Sequence, residues 1–257
     1  MINRRHFTMT MLGAGALSVS RQAGAVPQSS SLKQRVRSGQ PVKIVAAPGF
    51  RGVDGLSLRP TTSSIRSGLQ AILQRGPVDL FNADGQHTPI NEQELFQFCA
   101  TAEELGVGVK FRIKHPRQAF LLGKYADLGP QAILVPLVEE EETVRDAINN
   151  FYFPPLGRRS WGSIPGFKKK ERPDRLEYAP WWNANAILCL QIESVKAVVN
   201  VRNLVMPGVD WIQFGPADLM FDIEQHSHSP FKTAQECGDY VAEQLKDFDV
   251  RVDRPSA

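Results

Sequence analysis

Residues 209–219 read VDWIQFGPADL, a pattern typical of a buried strand that runs directly into a helix. The first six residues are mostly apolar, which predicts a short interior strand. Gly215 and Pro216 then interrupt the run, and Asp218 stands where a helix would begin. An acid and free backbone N–H groups at the carboxyl end of a strand can hold a metal ion and a small anion. Taken alone, Asp218 is more simply explained as a helix cap.

The same alternation of apolar runs and amphipathic segments extends through most of the chain. Predicted strands cover residues 43–47, 78–82, 107–113, 132–138, 186–192 and 209–214. Predicted helices cover residues 32–40, 65–73, 92–105, 117–126, 139–150 and 195–206. This alternation predicts right-handed βαβ units and a parallel sheet. Because the sequence has no Gly-x-Gly-x-x-Gly turn, it favours an α/β fold of the (β/α)8 TIM-barrel type over a dinucleotide-binding fold.

Two internal segments and the C-terminus depart from this regular pattern. Residues 51–64 and 154–182 contain several Gly and Pro residues and are predicted to be loops. Only 39 residues follow Asp218, enough for a helix at 233–248 and a short strand at 249–252. The barrel is therefore predicted to be incomplete at its C-terminal βα unit. An open sheet edge is costly unless something covers it, so we expect a homo-oligomer.

The N-terminal residues predict an export signal. Residues 1–25 contain a basic stretch at 4–7 (RRHF), an apolar run at 9–19 and small residues at 23–25 (AGA). The apolar run is too short for a stable membrane span, and the small-residue ending fits signal cleavage. Paired arginines before Phe resemble the twin-arginine signal, with Asn3 in place of the usual Ser or Thr. A disordered basic tail is the alternative. We expect a mature barrel domain at 26–257 in the periplasm.

The charge of the chain gives no indication of a nucleic-acid partner. The formal net charge of the 257 residues is +3, with 22% charged and 42% hydrophobic residues. Arg4, Arg5 and Arg21 account for the whole excess, because residues 1–25 contain no acid. The remaining chain is formally neutral, so no basic surface is predicted. These proportions suit a soluble fold with a sizeable core.

Polar side chains gather at the carboxyl ends of the predicted strands, where barrel enzymes carry their catalytic groups. They are Asp84 and His87, Arg112, Gln191 and Glu193, and Asp218. Each has an ordinary explanation by itself: a loop histidine, a surface arginine, an acid that begins a helix. Their joint position on one predicted edge favours an active site.

The residue types at this edge suggest one chemistry. Glu193 and Asp218, from neighbouring strands, can hold a hard divalent cation and leave positions for water. A 2-oxo acid bound there would have a polarised carbonyl and an acidified neighbouring methyl. His87 could then move protons, and Arg112 could neutralise the developing enolate. No lysine follows a strand in a way that demands a Schiff base.

Five motifs in this order resemble those of the HpcH/HpaI aldolase family, metal-dependent class II pyruvate aldolases built on a (β/α)8 barrel. They are DGQH at 84–87, FR at 111–112, PPLGRR at 154–159, QIE at 191–193 and GPADL at 215–219. The resemblance extends from about residue 78 to 219 and is weaker before that. It implies reversible cleavage of a 4-hydroxy-2-oxo acid to pyruvate and an aldehyde, with Mg²⁺, Mn²⁺ or Co²⁺ as cofactor.

The resemblance also implies a role for each matching residue. Glu193 and Asp218 are the implied metal ligands, with Asp84 nearby in the catalytic set. His87 is the implied general base, and Asp127 would raise its basicity. Arg112 would stabilise the enolate. The resemblance implies that Gln191 and the backbone around Ala217 and Asp218 bind the substrate.

Three departures from the family pattern leave a second interpretation open. Gln86 stands where the family commonly has Glu, which removes a charge near the metal waters. Residues 161–182 do not resemble the usual sequence, and they could set substrate preference, bind a partner or form a solvated face. The C-terminus is short. The alternative function is therefore a non-catalytic protein of the same fold that binds an oxo acid or a phosphoenolpyruvate-like ligand.

Overall fold

The protein is an α/β fold around one parallel sheet of seven strands in sequential order. The computed structural model describes residues 30–46, 61–164 and 166–255. The strands are β1 (Ile44–Ala46), β2 (Leu80–Asp84), β3 (Gly108–Arg112), β4 (Ala132–Val135), β5 (Ile187–Ile192), β6 (Trp211–Phe214) and β7 (Arg251–Val252). The predicted parallel sheet and all seven predicted strands are confirmed.

Helices connect successive strands, as the alternating pattern predicts. They are α1 (Leu32–Arg37), α2 (Thr62–Leu73), α3 (Glu92–Glu104), a 3-10 turn (Pro116–Leu121) leading into α4 (Leu122–Asp127), α5 (Glu141–Phe151), α6 (Arg175–Asn185), α7 (Val195–Val199), α8 (Val201–Leu204), α9 (Pro216–Gln225) and α10 (Ala234–Gln244). Their starts follow local sequence. For example, Asn91 caps α3 in a reciprocal capping box with Glu94.

One segment predicted to be a loop contains a helix. Helix α6 lies within residues 154–182 and continues to Asn185, although Pro180 stands inside it. Asp174 caps the helix by accepting a hydrogen bond from the Leu176 N–H. Tyr178 and Trp182, four residues apart, are both fully buried. Burial of these two rings on one helix face outweighs the local disruption by proline. The loop predicted at residues 51–64 also extends too far, because helix α2 already begins at Thr62.

The sheet curls but does not close in the described part of the chain. β7 has two residues and pairs with β6, while β1 pairs with β2. No eighth strand occurs between β7 and β1 among the described residues. The incomplete barrel predicted from the short C-terminus is therefore confirmed.

Helix α1 covers the amino ends of the strands inside the curled sheet. It packs beside a small interior cluster that includes Val36, Leu80 and Trp211. Beneath this cluster the Asp210 carboxylate, fully buried, bonds to Lys33 Nζ at 3.1 Å and Arg37 Nε at 2.8 Å. The larger core lies between the outer face of the sheet and the helices. One end of the sheet is thus closed by packing and charge pairing.

No helix among the described residues is long and apolar enough to cross a membrane. The predicted export signal at residues 1–25 lies outside the described residues.

Candidate active site

The predicted carboxylate pair is brought together by adjacent strands. Gln191 and Ile192 on β5 pair with Gln213 and Phe214 on β6, so both strands end at the same level. Glu193 directly follows β5, and Gly215 directly follows β6. A Cβ atom at position 215 would overlap with the Glu193 carboxylate, so only glycine fits there.

Helix α9 begins at this edge and places Asp218 in its first turn, as predicted. Gly215 is the N-cap and offers no side-chain hydrogen bond to the helix start. The backbone N–H groups of Ala217 and Asp218 therefore point away from the helix body without an intrahelical partner. Both residues are exposed. The start of α9 thus combines an acid with two backbone donors, an arrangement that can hold a cation and a carboxylate side by side.

Glu193 is a buried acid with incomplete pairing. Its side chain is 3% exposed, and its Oε2 accepts a 2.7 Å hydrogen bond from the Leu137 N–H. Burial and the neighbouring Asp218 carboxylate raise the pKa of Glu193 to about 7, although the Leu137 bond opposes the shift. With both acids ionised, Glu193 Oε1 is buried without a hydrogen-bond partner among the described residues. Such an atom requires either a shared proton or a cation.

The residue that donates to Glu193 has an unusual backbone conformation. Leu137 has a φ of 48°, in the left-handed region that L-residues with large side chains rarely adopt. This conformation directs its N–H toward Glu193 Oε2. Strain of this kind is concentrated at functional sites, where the surrounding structure enforces it.

Arg112 is held in place by the acid at the end of the neighbouring strand. Arg112 on β3 faces Asp84 on β2, and the two form two hydrogen bonds, one of 2.8 Å from Nε to Oδ1. Burial disfavours the charge on Asp84, but the bonds from Arg112 outweigh it and lower its pKa. Arg112 Nη1 also lies 3.4 Å from Gln191 Oε1. Three of the predicted site residues therefore form one hydrogen-bonded group.

The DGQH segment turns sharply above this group. Gly85 donates its N–H to the Arg112 carbonyl at 2.8 Å, and a Cβ there would overlap with Phe111. Asp84 Oδ1 accepts hydrogen bonds from the backbone of Gln86 and His87. The His87 side chain is exposed, and the described residues give its imidazole no hydrogen-bond partner. Asp84 thus positions the His87 backbone and the Arg112 guanidinium together.

The described structure pairs Asp127 with a different residue from the one the resemblance implies. Asp127 Oδ1 forms a 2.6 Å ion pair with Arg159 Nη2, and no contact with His87 is observed among the described residues. Arg159 is 5% exposed and lies between the rings of Phe153 and Trp182. The guanidinium of Arg159 is thereby enclosed by rings that precede and follow it in the chain.

The carboxylate pair fits a divalent cation that is only partly coordinated by protein. No cluster of three or more acidic, histidine or cysteine side chains able to hold a metal occurs among the described residues. Glu193 and Asp218 would supply two oxygen ligands, and the orphaned Glu193 Oε1 is the observation that favours a cation there. Hard divalent cations are commonly bound by few carboxylates, with water and ligand oxygens completing the coordination.

A cavity of about 400 Å³ opens below the rim, inside the curled sheet. Its walls include Arg112, Gln191 and one residue that was missed by sequence analysis, Lys110. Lys110 lies inside β3 and not after it, so a search of strand ends passed over it. The sequence does contain a signal for Lys110, because alternate residues of a strand point to the same face and Lys110 is two positions before Arg112.

Comparisons with known proteins show which sequences this chain resembles. The family model for HpcH/HpaI aldolase/citrate lyase matches residues 84–251. The 2-keto-3-deoxy-L-rhamnonate aldolase of Klebsiella pneumoniae subsp. pneumoniae is 31% identical over 160 residues, which cover 61% of this chain and 58% of that protein. The enzyme of the same name from Escherichia coli O9:H4 is 29% identical over 194 residues, or 74% of this chain and 66% of that protein. The matched part of the chain thus spans less than two thirds of these relatives.

Solved structures show the same fold. An HpcH/HpaI aldolase from Desulfitobacterium hafniense DCB-2 superposes with a TM-score of 0.68 at 23% identity, covering 86% of this chain and 80% of that one. Macrophomate synthase superposes with a TM-score of 0.67 at 24% identity, covering 86% and 74%. Because the family model covers well over half of the chain, the protein belongs to the HpcH/HpaI aldolase/citrate lyase family.

Proposed function

We propose that this chain is a divalent-metal-dependent aldolase that reversibly cleaves a 4-hydroxy-2-oxo acid to pyruvate and an aldehyde. The observation that carries the proposal is the buried, unpartnered Glu193 Oε1 beside Asp218, at the same edge as Arg112 and Gln191. The names of the curated relatives support a carbon–carbon lyase. Substrate and metal dependence belong to the proposal.

The chain supplies the groups that such a reaction needs. Glu193 and Asp218 would hold Mg²⁺, Mn²⁺ or Co²⁺, which when bound polarises the substrate carbonyl. The N–H groups of Ala217 and Asp218 bind the substrate carboxylate at the start of α9. Gln191 donates through its amide to the same oxo acid. Its partner Arg112, fixed by Asp84, lies where negative charge develops as the methyl loses a proton.

His87 is the proposed general base. Its exposed imidazole stands on the turn fixed by Asp84, so it can reach a ligand held over Arg112. An imidazole can accept a proton from a substrate and return it. Asp127 is the proposed acid that raises its basicity. Since Asp127 is paired with Arg159 in the described structure, this role requires a different arrangement of the 84–88 turn or of that ion pair.

Proton exchange at the methyl of pyruvate tests the proposal without knowledge of the aldehyde. The full chain is incubated with pyruvate and Mn²⁺ or Mg²⁺ in deuterated water, and loss of the methyl proton signal is followed by NMR. We expect exchange that requires metal and falls about a thousandfold in Glu193→Gln. The matched control is Glu140→Gln, which changes an exposed acid that pairs with Lys196. No exchange with metal bound would refute the aldolase.

A second candidate function is the non-catalytic binding of an oxo acid or a phosphoenolpyruvate-like ligand. It is favoured by the isolated His87 imidazole and by Gln86, whose buried Oε1 has no partner among the described residues. This alternative predicts metal-dependent binding measured by calorimetry, with an affinity unchanged in His87→Ala. Exchange of methyl protons that disappears in the same variant would exclude it.

We also propose that residues 1–25 direct export to the periplasm by the twin-arginine route. Changing both Arg4 and Arg5 to Lys is expected to retain the protein in the cytoplasm, as judged by cell fractionation. Among the described residues, the outer edges of β1 and β7 pair with no further strand, which supports a proposed homo-oligomer. Light scattering on the purified chain would give a monomer mass if this were wrong.

A further inference from the structure

Three cationic side chains are buried in the described part of the chain, and they differ in their partners. Lys33, Lys110 and Arg159 are 7%, 6% and 5% exposed. Lys33 pairs with Asp210 at 3.1 Å, and Arg159 pairs with Asp127 at 2.6 Å. Lys110 forms no ion pair with any described carboxylate. Its Nζ donates to the neutral amide oxygen of Gln213 at 2.5 Å and lies 5.8 Å from the Trp211 ring centre.

An ammonium group in this position has more donors than partners. It carries three N–H bonds, and Gln213 accepts one of them among the described residues. Burial of an unpaired charge is costly, and here it lowers the pKa of Lys110. The nearest acids are already engaged, because Asp84 binds Arg112 and Asp253 Oδ1 lies 2.6 Å from Arg251 Nε. A carboxylate that enters from outside would complete the pairing of Lys110.

The space next to Lys110 is open to such a group. Lys110 and Arg112 line the same cavity of about 400 Å³, within the usual range for small-molecule sites. Amides of Asn82, Gln191 and Gln213 form much of the remaining wall. Because Lys110 and Arg112 are two residues apart on one strand, their Cα atoms are separated by roughly 6.6 Å. The same wall also includes Arg254 and the Asp253 carboxylate, so three cations and one acid surround the space next to Lys110.

We propose that Lys110 binds the second carboxylate of a dicarboxylic 2-oxo acid whose oxo-acid end lies at Arg112 and Gln191. A five-carbon diacid is the probe of this arrangement, since its four C–C bonds of ~1.5 Å extend to about 5 Å, a length comparable with the roughly 6.6 Å between the Cα atoms of residues 110 and 112. Lys110 is then a specificity-determining residue that selects diacids over monoacids. This inference rests on the proposed function for the site that holds the oxo-acid end.

Two ligands of equal chain length isolate the contribution of the second carboxylate. 2-Oxoglutarate and 2-oxopentanoate are each titrated into the full chain with Mn²⁺ by calorimetry. We expect the wild type to bind 2-oxoglutarate about tenfold more tightly or better, as a charge-assisted bond in a buried site allows. Lys110→Met is expected to remove this preference and leave the affinity for 2-oxopentanoate unchanged. Lys114→Met, which removes an exposed lysine on the loop after the same strand, is the matched control and keeps the preference.

The outcomes separate this inference from the proposed function. Equal binding of the two acids by the wild type overturns the role of Lys110 and leaves the oxo-acid site intact. A preference that survives in folded Lys110→Met, confirmed by its melting curve, also overturns it. Failure of the wild type to bind either acid overturns the proposed oxo-acid site and this inference together. The wild-type comparison decides even where the variant does not fold.

Discussion

The buried acids at the two ends of strands β5 and β6 differ in how completely they are paired. At the amino end, Asp210 is fully buried and accepts bonds from Lys33, Arg37, the Tyr152 hydroxyl and the Leu188 N–H. At the carboxyl end, Glu193 is nearly as buried, yet its Oε1 lacks a partner among the described residues and the Asp218 carboxylate raises its pKa. At the amino end of these strands the buried carboxylate is fully hydrogen-bonded, whereas at the carboxyl end it is not.

This difference is the one expected if the amino end serves stability and the carboxyl end binds a ligand, as we propose. A buried acid with complete pairing fixes α1 under the sheet and offers nothing to a ligand. A buried acid without complete pairing costs stability unless another group binds there. In barrel folds, function lies at the carboxyl ends of strands and stability at the amino ends. Substitutions at the two ends should therefore separate stability from activity.

Removal of the amino-end acid has the largest expected effect on stability. Asp210→Ala removes the counter-ion of Lys33, leaves Arg37 with Asp249 alone, and leaves the Leu188 N–H without its acceptor. We expect the free energy of unfolding to fall by about 4 kcal/mol, measured by urea denaturation, with little change in proton exchange per folded molecule. An equally large loss of exchange in folded Asp210→Ala would show that the two ends are coupled.

A conservative change at the carboxyl end should lower the rate of proton exchange and leave stability almost unchanged. Arg112→Lys keeps the charge but cannot form both bonds to Asp84 while reaching Gln191. We expect methyl proton exchange to fall about a hundredfold, with a change in unfolding free energy below about 1 kcal/mol. Exchange at the wild-type rate would remove Arg112 from the proposed site.

The distinction between the ends was partly predictable from sequence. Apolar runs with regular spacing gave the strands, and residues directly after them gave Asp84, Arg112, Glu193 and Asp218, because these signals are local. The amino-end network was not predicted, since Lys33 and Asp210 are 177 positions apart and meet only through the curl of the sheet.

Three further features depend on tertiary contacts in the same way. Helix α6 exists because Tyr178 and Trp182 find a buried site, which outweighs its proline. The pairing of Asp127 with Arg159 depends on rings from two separate segments. The missing counter-ion of Lys110 is visible only once every nearby acid has been located.

The raised pKa of Glu193 gives a pH-dependent test of the carboxyl end. A carboxyl with a pKa of 4.5 when unfolded and about 7 when folded holds its proton more tightly in the folded state. Its contribution to stability is complete below pH 4.5 and is lost as the pH rises through 7. In the metal-free protein at pH 8, Glu193→Gln should therefore raise the unfolding free energy by about 3 kcal/mol.

The same comparison at low pH is the control for this prediction. At pH 4.5 the wild-type carboxyl is protonated when folded, so Glu193→Gln should have almost no effect on stability there. Denaturation curves in a chelator at both pH values measure the difference. A gain in stability of equal size at pH 4.5 would mean that repacking, and not an uncompensated charge, explains it.

The smallest expected effect concerns the strained backbone that serves Glu193. Leu137 has a φ of 48° and is 39% exposed, so its side chain contributes little packing to offset the strain. Asn tolerates this left-handed conformation better than Leu. Leu137→Asn should therefore increase the unfolding free energy by about 0.5 kcal/mol while keeping the N–H bond to Glu193 and the rate of proton exchange. If Leu137→Asn instead destabilised the protein, the leucine side chain would be packing against the site in a way that outweighs its backbone strain.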